Sequence, residues 1–128
     1  MIYLDTCLVV YAFEANSKLG IATRHRITEQ VSEEFVISPL VKMECLVGPN
    51  KDGNLELRRY YDLGLARFKQ VSLNEDVFLR AAELRARHGL KTPDALHLAA
   101  AQIHQCSALW TNDDRLAAAG LGLAVRIL

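Results

Sequence analysis

Short apolar runs alternate along this chain with longer stretches in which apolar residues recur every three to four positions. The runs Met1–Leu4, Phe35–Ile37, Phe68–Val71, Ala108–Trp110 and Leu123–Ile127 are brief, and several have no polar face. That pattern predicts β-strands covered on both sides. Between them, the helical period predicts helices near Cys7–Phe13, Ile21–Glu33, Leu40–Val47, Leu55–Ala66, Asp76–His88, Pro93–Gln105 and Asp114–Ala119. Strand and helix in alternation predict an α/β fold: a parallel sheet with right-handed crossovers and helices on both faces. The 128 residues fit one domain, 1–128.

Helix boundaries are marked by chemistry. Ser38-Pro39 and Thr92-Pro93 each offer a hydroxyl at the N-cap and a proline at the first helical position. Gly48-Pro49-Asn50 is expected to stop one helix and Gly89 another. Gly48–Asn54 is the most loop-like stretch and a candidate mobile segment.

Composition narrows the class. The chain is 51% hydrophobic and 23% charged, enough to build a core and too apolar for disorder. Fifteen basic and fifteen acidic side chains cancel, so bulk attraction to a polyanion is absent and local cations or metal ions would have to supply it. Three cysteines without CxxC spacing, Cys7, Cys45 and Cys106, sit among apolar neighbours and read as buried, reduced thiols. The start lacks a basic segment followed by an apolar run, and no stretch reaches the roughly 18 apolar residues of a membrane span. The expectation is a cytoplasmic protein.

Four acids stand out by position. Asp5 follows the first strand directly, and Asp113 follows the strand Ala108–Trp110 through Thr111-Asn112. In a parallel sheet both would emerge at the carboxyl edge, where ligands bind. Glu44 shares a helical stripe with Leu40, Met43 and Val47, and a carboxylate on an apolar face is normally paired, protonated or coordinating a metal. Asp94 lies in the first turn of a helix that is apolar almost all round; it reads either as a helix-dipole partner or as a carboxylate kept near the core for chemistry. His97 is one turn after Asp94, and His104 continues that face. Asp-x-x-His can ligate a metal, although lone helical histidines are more often hydrogen-bonded structural residues. His25 and His88, among other charges, read as solvated surface. HExxH, GxxxxGK[ST], GxSxG and GxGxxG are absent, which removes several enzyme classes.

Taken together, Ile2-Tyr3-Leu4-Asp5-Thr6, Val41-Lys42-Met43-Glu44, Gly89 to Ala101 with its Asp94-Ala95-Leu96 core, and Leu109-Trp110-Thr111-Asn112-Asp113 resemble the PIN-domain nucleases, especially VapC toxins of bacterial toxin–antitoxin pairs. The Thr-x-Asp match favours Asp113 over Asp114, which is left as a helix cap or a supporting group. The resemblance covers essentially the whole chain. It implies a three-layer α/β/α sandwich, Mg²⁺ or Mn²⁺ dependence, cleavage of RNA phosphodiesters, a VapB-like antitoxin that blocks the acidic groove, and a toxin homodimer. On this reading Asp5 and Asp94 hold the principal ion, Asp113 supports it or a second ion, and Glu44 orients the attacking water or completes the shell. Thr6 and Thr111 would hydrogen-bond these carboxylates, while Lys42, Lys91 and Arg115 would contact phosphates.

Competing readings are a non-catalytic α/β interaction module and a PIN nuclease of RNA maturation or decay; the short chain favours the toxin over the latter. A phosphoacceptor receiver is disfavoured because Thr6 stands where a second acid belongs and no lysine follows the last strand. An Asp-x-Asp phosphatase is disfavoured by Cys7.

Overall fold

The computed structural model describes residues 1–14, 16–120 and 122–128. Its elements, in chain order, are β1 (Ile2–Leu4), α1 (Thr6–Glu14), α2 (Lys18–Glu29), β2 (Phe35–Ile37), α3 (Pro39–Asp52), α4 (Leu55–Leu65), β3 (Lys69–Gln70), α5 (Glu75–His88), α6 (Thr92–Ile103), β4 (Ala108–Thr111), α7 (Asp114–Ala119) and β5 (Ala124–Arg126). Among the described residues the strands form one sheet in the order β3-β2-β1-β4-β5, parallel throughout. The α/β expectation holds.

Consecutive residues of the central strands are all buried: Ile2, Tyr3 and Leu4 in β1, Leu109, Trp110 and Thr111 in β4. Successive strand side chains point to opposite faces, so burial of every one means that both faces are covered. The result is a helix–sheet–helix sandwich. Its edges carry polar side chains instead: Lys69 and Gln70 of β3 and Arg126 of β5 are exposed, and the charges of Lys69 and Arg126 discourage further strand pairing. The strand order reverses direction between β1 and β4, and such a switch point opens a crevice beyond the carboxyl ends of the two strands. Asp5 and Asp113 stand at its two sides, just beyond β1 and β4.

Three boundaries differ from expectation. The helix expected to stop at Gly48-Pro49-Asn50 runs on to Asp52, with Pro49 buried inside it. Proline crowds the Cβ of the preceding residue in helical conformation, and Gly48 has none, so part of the conflict is removed. The turn comes instead at Gly53, which is left-handed with φ 62°, and Asn54 N–H closes it on the Pro49 carbonyl at 2.9 Å. Asn54 then caps α4 by accepting from Leu57 N–H at 3.0 Å. The expected loop Gly48–Asn54 is therefore the end of one helix and the start of the next. α2 ends at Glu29 and not at Glu33, because Gln30 turns to extended backbone and Glu33 is drawn to the N-terminal ammonium at 3.4 Å. At α6 the N-cap is Lys91 and Thr92 is already helical. At α3 the N-cap is Ser38, yet its hydroxyl makes no capping bond.

Candidate active site

Asp5 is buried, with 7% of its surface exposed. Its Oδ1 accepts from Thr6 N–H at 2.8 Å and its Oδ2 from the Thr111 hydroxyl at 2.7 Å. Thr111 is itself fully buried, and its Oγ1 accepts from Asp113 N–H at 3.0 Å. One threonine thus ties the end of β1 to the end of β4. This linkage is a consequence of register: Leu4 pairs with Trp110, so the next residues on each strand face one another.

Asp113 is the N-cap of α7, its Oδ1 accepting from Arg115 N–H at 2.8 Å and Leu116 N–H at 3.1 Å. Both amides use one oxygen, and Oδ2 has no hydrogen bond among the described residues. Asp114 is exposed and pairs with Arg126 at 2.7 Å; the cap is Asp113, and Asp114 points to a surface cation.

Glu44 lies on α3, but not where the predicted stripe put it. Met43 and Val47 are each 55% exposed, whereas Leu40, Val41, Cys45 and Pro49 form the buried side. Glu44 sits at the border of that side, half-buried, because the core-facing arc is rotated toward Val41 and Cys45. Its Oε1 accepts from the Thr6 hydroxyl and lies against His97 Nε2, both at 2.7 Å. Burial pushes the Glu44 carboxyl upward, but the hydrogen bonds from His97 and Thr6 and the attraction of the imidazole outweigh it, leaving the group below the usual glutamate range.

Asp94 enters from the first turn of α6, whose seven residues Ala95 to Ala101 are all buried. Its carboxyl is held above the usual aspartate range. Burial is the largest cause, followed by repulsion from Asp113 and Asp5, with Glu44 adding to it and His97 opposing it. Asp94 therefore feels the other three acids, which come from separated places in the sequence. Among the described residues no lysine or arginine forms an ion pair with any of the four; only His97 does, with Glu44 and, at 3.8 Å, Asp5. Like charges with no lysine or arginine paired to them, on oxygen ligands, suit a hard divalent cation. Among the described residues no group of three or more His, Cys, Asp or Glu side chains is placed to hold a metal ion by itself. Mg²⁺ needs none, since it binds through one or two carboxylates and keeps several waters.

A cleft of about 930 Å³ is lined by Asp94, Asp113, Asp114, Lys91, Arg115 and His88 among others, while Asp5 and Glu44 do not line it. His88, expected on the solvated surface, lines this cleft, and exposed Lys91 and Arg115 flank the acids there. Lys42 is half-buried on α3 and does not line it. A second, more apolar groove of about 460 Å³ runs between α1, α2 and α4 over Phe13, Ile27, Tyr60, Leu63 and Phe68. No helix among the described residues is long and apolar enough to cross a membrane. Cys7, Cys45 and Cys106 are free; Cys45 and Cys106 are buried as expected, while Cys7, in the first turn of α1 beside Asp5, is only half-buried.

Sequence reasoning missed two partners. Tyr3 is fully buried with its hydroxyl 2.7 Å from both Ser38 Oγ and His97 Nδ1. A tyrosine in an apolar strand was a usable signal, because a buried phenol needs a partner. Ser38 gave none beyond its capping position.

The sequence profile of the PIN domain matches residues 2–121. No curated protein matches in sequence. In three dimensions the chain is similar to a protein of a toxin–antitoxin complex from Klebsiella pneumoniae, at 24% identity and TM-score 0.84 over 100% of this chain and 98% of that one. It is also similar to FitAcB from Neisseria gonorrhoeae, at 18% identity and TM-score 0.80 over 98% and 97%. VapC20 of Mycobacterium tuberculosis, a toxin that cleaves the sarcin–ricin loop, superposes at 18% identity and TM-score 0.76 over 94% and 95%.

Proposed function

Because this chain belongs to the PIN-domain family, we propose that it is a divalent-metal-dependent endoribonuclease acting as the toxin of a toxin–antitoxin pair. One observation supports this reading above the rest. Thr6 bonds both Asp5 and Glu44, Thr111 ties Asp5 to Asp113, and Asp94 lines one cleft with Asp113, with no lysine or arginine paired to any of the four among the described residues.

Asp5 and Asp94 would hold Mg²⁺ or Mn²⁺, with Asp113 supporting through its unused Oδ2. The ion, when bound, supplies the Lewis acidity that stabilises charge growing on a scissile phosphate. Thr111 fixes Asp5 and Thr6 fixes Glu44, so neither carboxylate needs to reorganise as charge develops. Glu44, kept ionised by its hydrogen bonds, is suited to orient and accept a proton from an attacking water. Lys91 and Arg115 offer phosphate contacts at the mouth, which a chain of zero net charge otherwise lacks; Lys42 would have to act from outside the cleft.

The toxin assignment draws on the solved relatives, several of which are toxin–antitoxin assemblies, two of them on DNA. The apolar groove over Phe13, Ile27, Tyr60 and Leu63 suits an apolar segment of a VapB-like antitoxin. A homodimer and a cytoplasmic site of action complete the proposal. In the test, purified protein is incubated with RNA. Cleavage with Mg²⁺ or Mn²⁺, its arrest by a chelator, and its loss in Asp94→Asn with the fold retained are expected. Undiminished cutting by that variant would remove the site assignment. Growth arrest on expression, relieved by Asp94→Asn, distinguishes a toxin from a nuclease of RNA maturation.

A further inference from the structure

His97 is 1% exposed and lies between two leucines in the buried run of α6, yet both of its ring nitrogens are engaged. Nε2 is 2.7 Å from Glu44 Oε1, and Nδ1 is 2.7 Å from Tyr3 Oη. Tyr3 Oη is in turn 2.7 Å from Ser38 Oγ. We propose that His97 is a positioning residue: the buried chain Ser38–Tyr3–His97 holds Glu44 by Oε1 and so presents Oε2 to the acidic crevice. This inference rests on the nuclease reading for what Glu44 does, but not for how Glu44 is held.

The direction of the chain follows from chemistry. An ionised carboxylate only accepts, so Nε2 must carry a proton toward Glu44. In the neutral imidazole Nδ1 is then bare and accepts the Tyr3 O–H. Tyr3 Oη accepts from the Ser38 hydroxyl, which accounts for an N-cap serine that makes no capping bond. Thr6 supplies a second bond to the same Oε1. With Oε1 held twice, Glu44 cannot exchange its oxygens, and among the described residues Oε2 has no hydrogen-bond partner. The imidazole ring is also fixed in plane, edge-on to Tyr3 at a centroid distance of 5.6 Å. Burial makes the hold stiff, since no water competes for either nitrogen.

Two measurements test it independently. Nitrogen-15 NMR of the wild-type protein should show a slowly exchanging proton on His97 Nε2. A ring bearing its proton on Nδ1 alone would overturn the proposal, whatever the protein does to RNA. In kinetics with RNA and Mg²⁺, His97→Leu should lower kcat by roughly 10–100-fold, the usual range for groups that orient site carboxylates, with KM unchanged. His97→Gln, which keeps a donor toward Glu44, should recover much of the loss. Tyr3→Phe should reduce kcat less, and remains informative should His97→Leu not fold. The decisive comparison is in a Glu44→Gln background, where His97→Leu and Tyr3→Phe should cost nothing further. Losses that multiply there show that His97 does not act through Glu44, and sink the idea. A wild-type protein that leaves RNA intact removes the nuclease reading alone, with the hold on Glu44 still decided by the spectrum.

Discussion

Replacing Asp94 by asparagine should abolish cleavage and, in metal-free protein, raise stability. The carboxyl of Asp94 is held above its ordinary range by burial and by Asp113, Asp5 and Glu44, with only His97 opposing. Ionised, it therefore works against the fold. Two unit charges about 4 Å apart repel by about 1 kcal/mol in water and about 4 kcal/mol at an effective dielectric of 20. Asp94 is only partly buried, so solvent screening places each pair toward the lower figure. Against this gain stands the loss of a charge at a helix N-terminus, about 0.3–1 kcal/mol. Several repelling partners outweigh one dipole, and a net gain of about 1 kcal/mol is expected. For a chain of this length that is a rise of about 3–5 °C in Tm. The assay is thermal unfolding in EDTA and again with Mg²⁺. Mg²⁺ at ten times its Kd should stabilise the wild type by about 1.4 kcal/mol, and Asp94→Asn much less. An Asp94→Asn protein that melts several degrees below the wild type in EDTA would refute the view that the acids are mutually strained.

Asp94 and Glu44 should give opposite pH dependences in metal-free protein. Folding raises the Asp94 pKa, so its destabilisation is absent below the ordinary aspartate value and grows as pH rises to the raised one. The advantage of Asp94→Asn should vanish in acid. Folding lowers the Glu44 pKa, so its stabilisation is present above the ordinary glutamate value and is lost as pH falls through the depressed one. The deficit of Glu44→Gln should likewise close in acid, and parallel melting curves for variant and wild type across pH would contradict either statement. Thr111→Val removes a buried hydroxyl that serves both Asp5 and Asp113 N–H; urea unfolding should show a loss of about 1–3 kcal/mol. Gly120→Ala places a methyl 2.7 Å from the backbone nitrogen of Ala124 at the start of β5. Overpacking against backbone should cost about 1–3 kcal/mol, and a neutral result would show that β5 is free to move away.

The elements themselves were legible because their causes are local. Short apolar runs gave most of the strands, and Gly89 ends its helix within the span of a single turn. Pro49 shows where local rules mislead. Read alone it stops a helix, but packed against the core behind a glycine it stays inside one. Glu44 shows the same limit, since the stripe Leu40, Met43, Glu44 and Val47 has the correct period and the wrong phase. Period is a property of the backbone; phase depends on what the helix packs against.

The order of strands and helices, and the presence of four acids next to them, were set by residues acting on neighbours a few positions away. Which groups meet was not. Thr111 reaches Asp5 across 106 residues and His97 reaches Tyr3 across 94, through a strand pairing whose register no local pattern encodes. Asp94 acquires its raised pKa, and His97 its hold on Glu44, only once β1 lies beside β4 and α6 is buried. Hydrogen bonds and charges act over a few ångströms in space, whatever the distance along the chain.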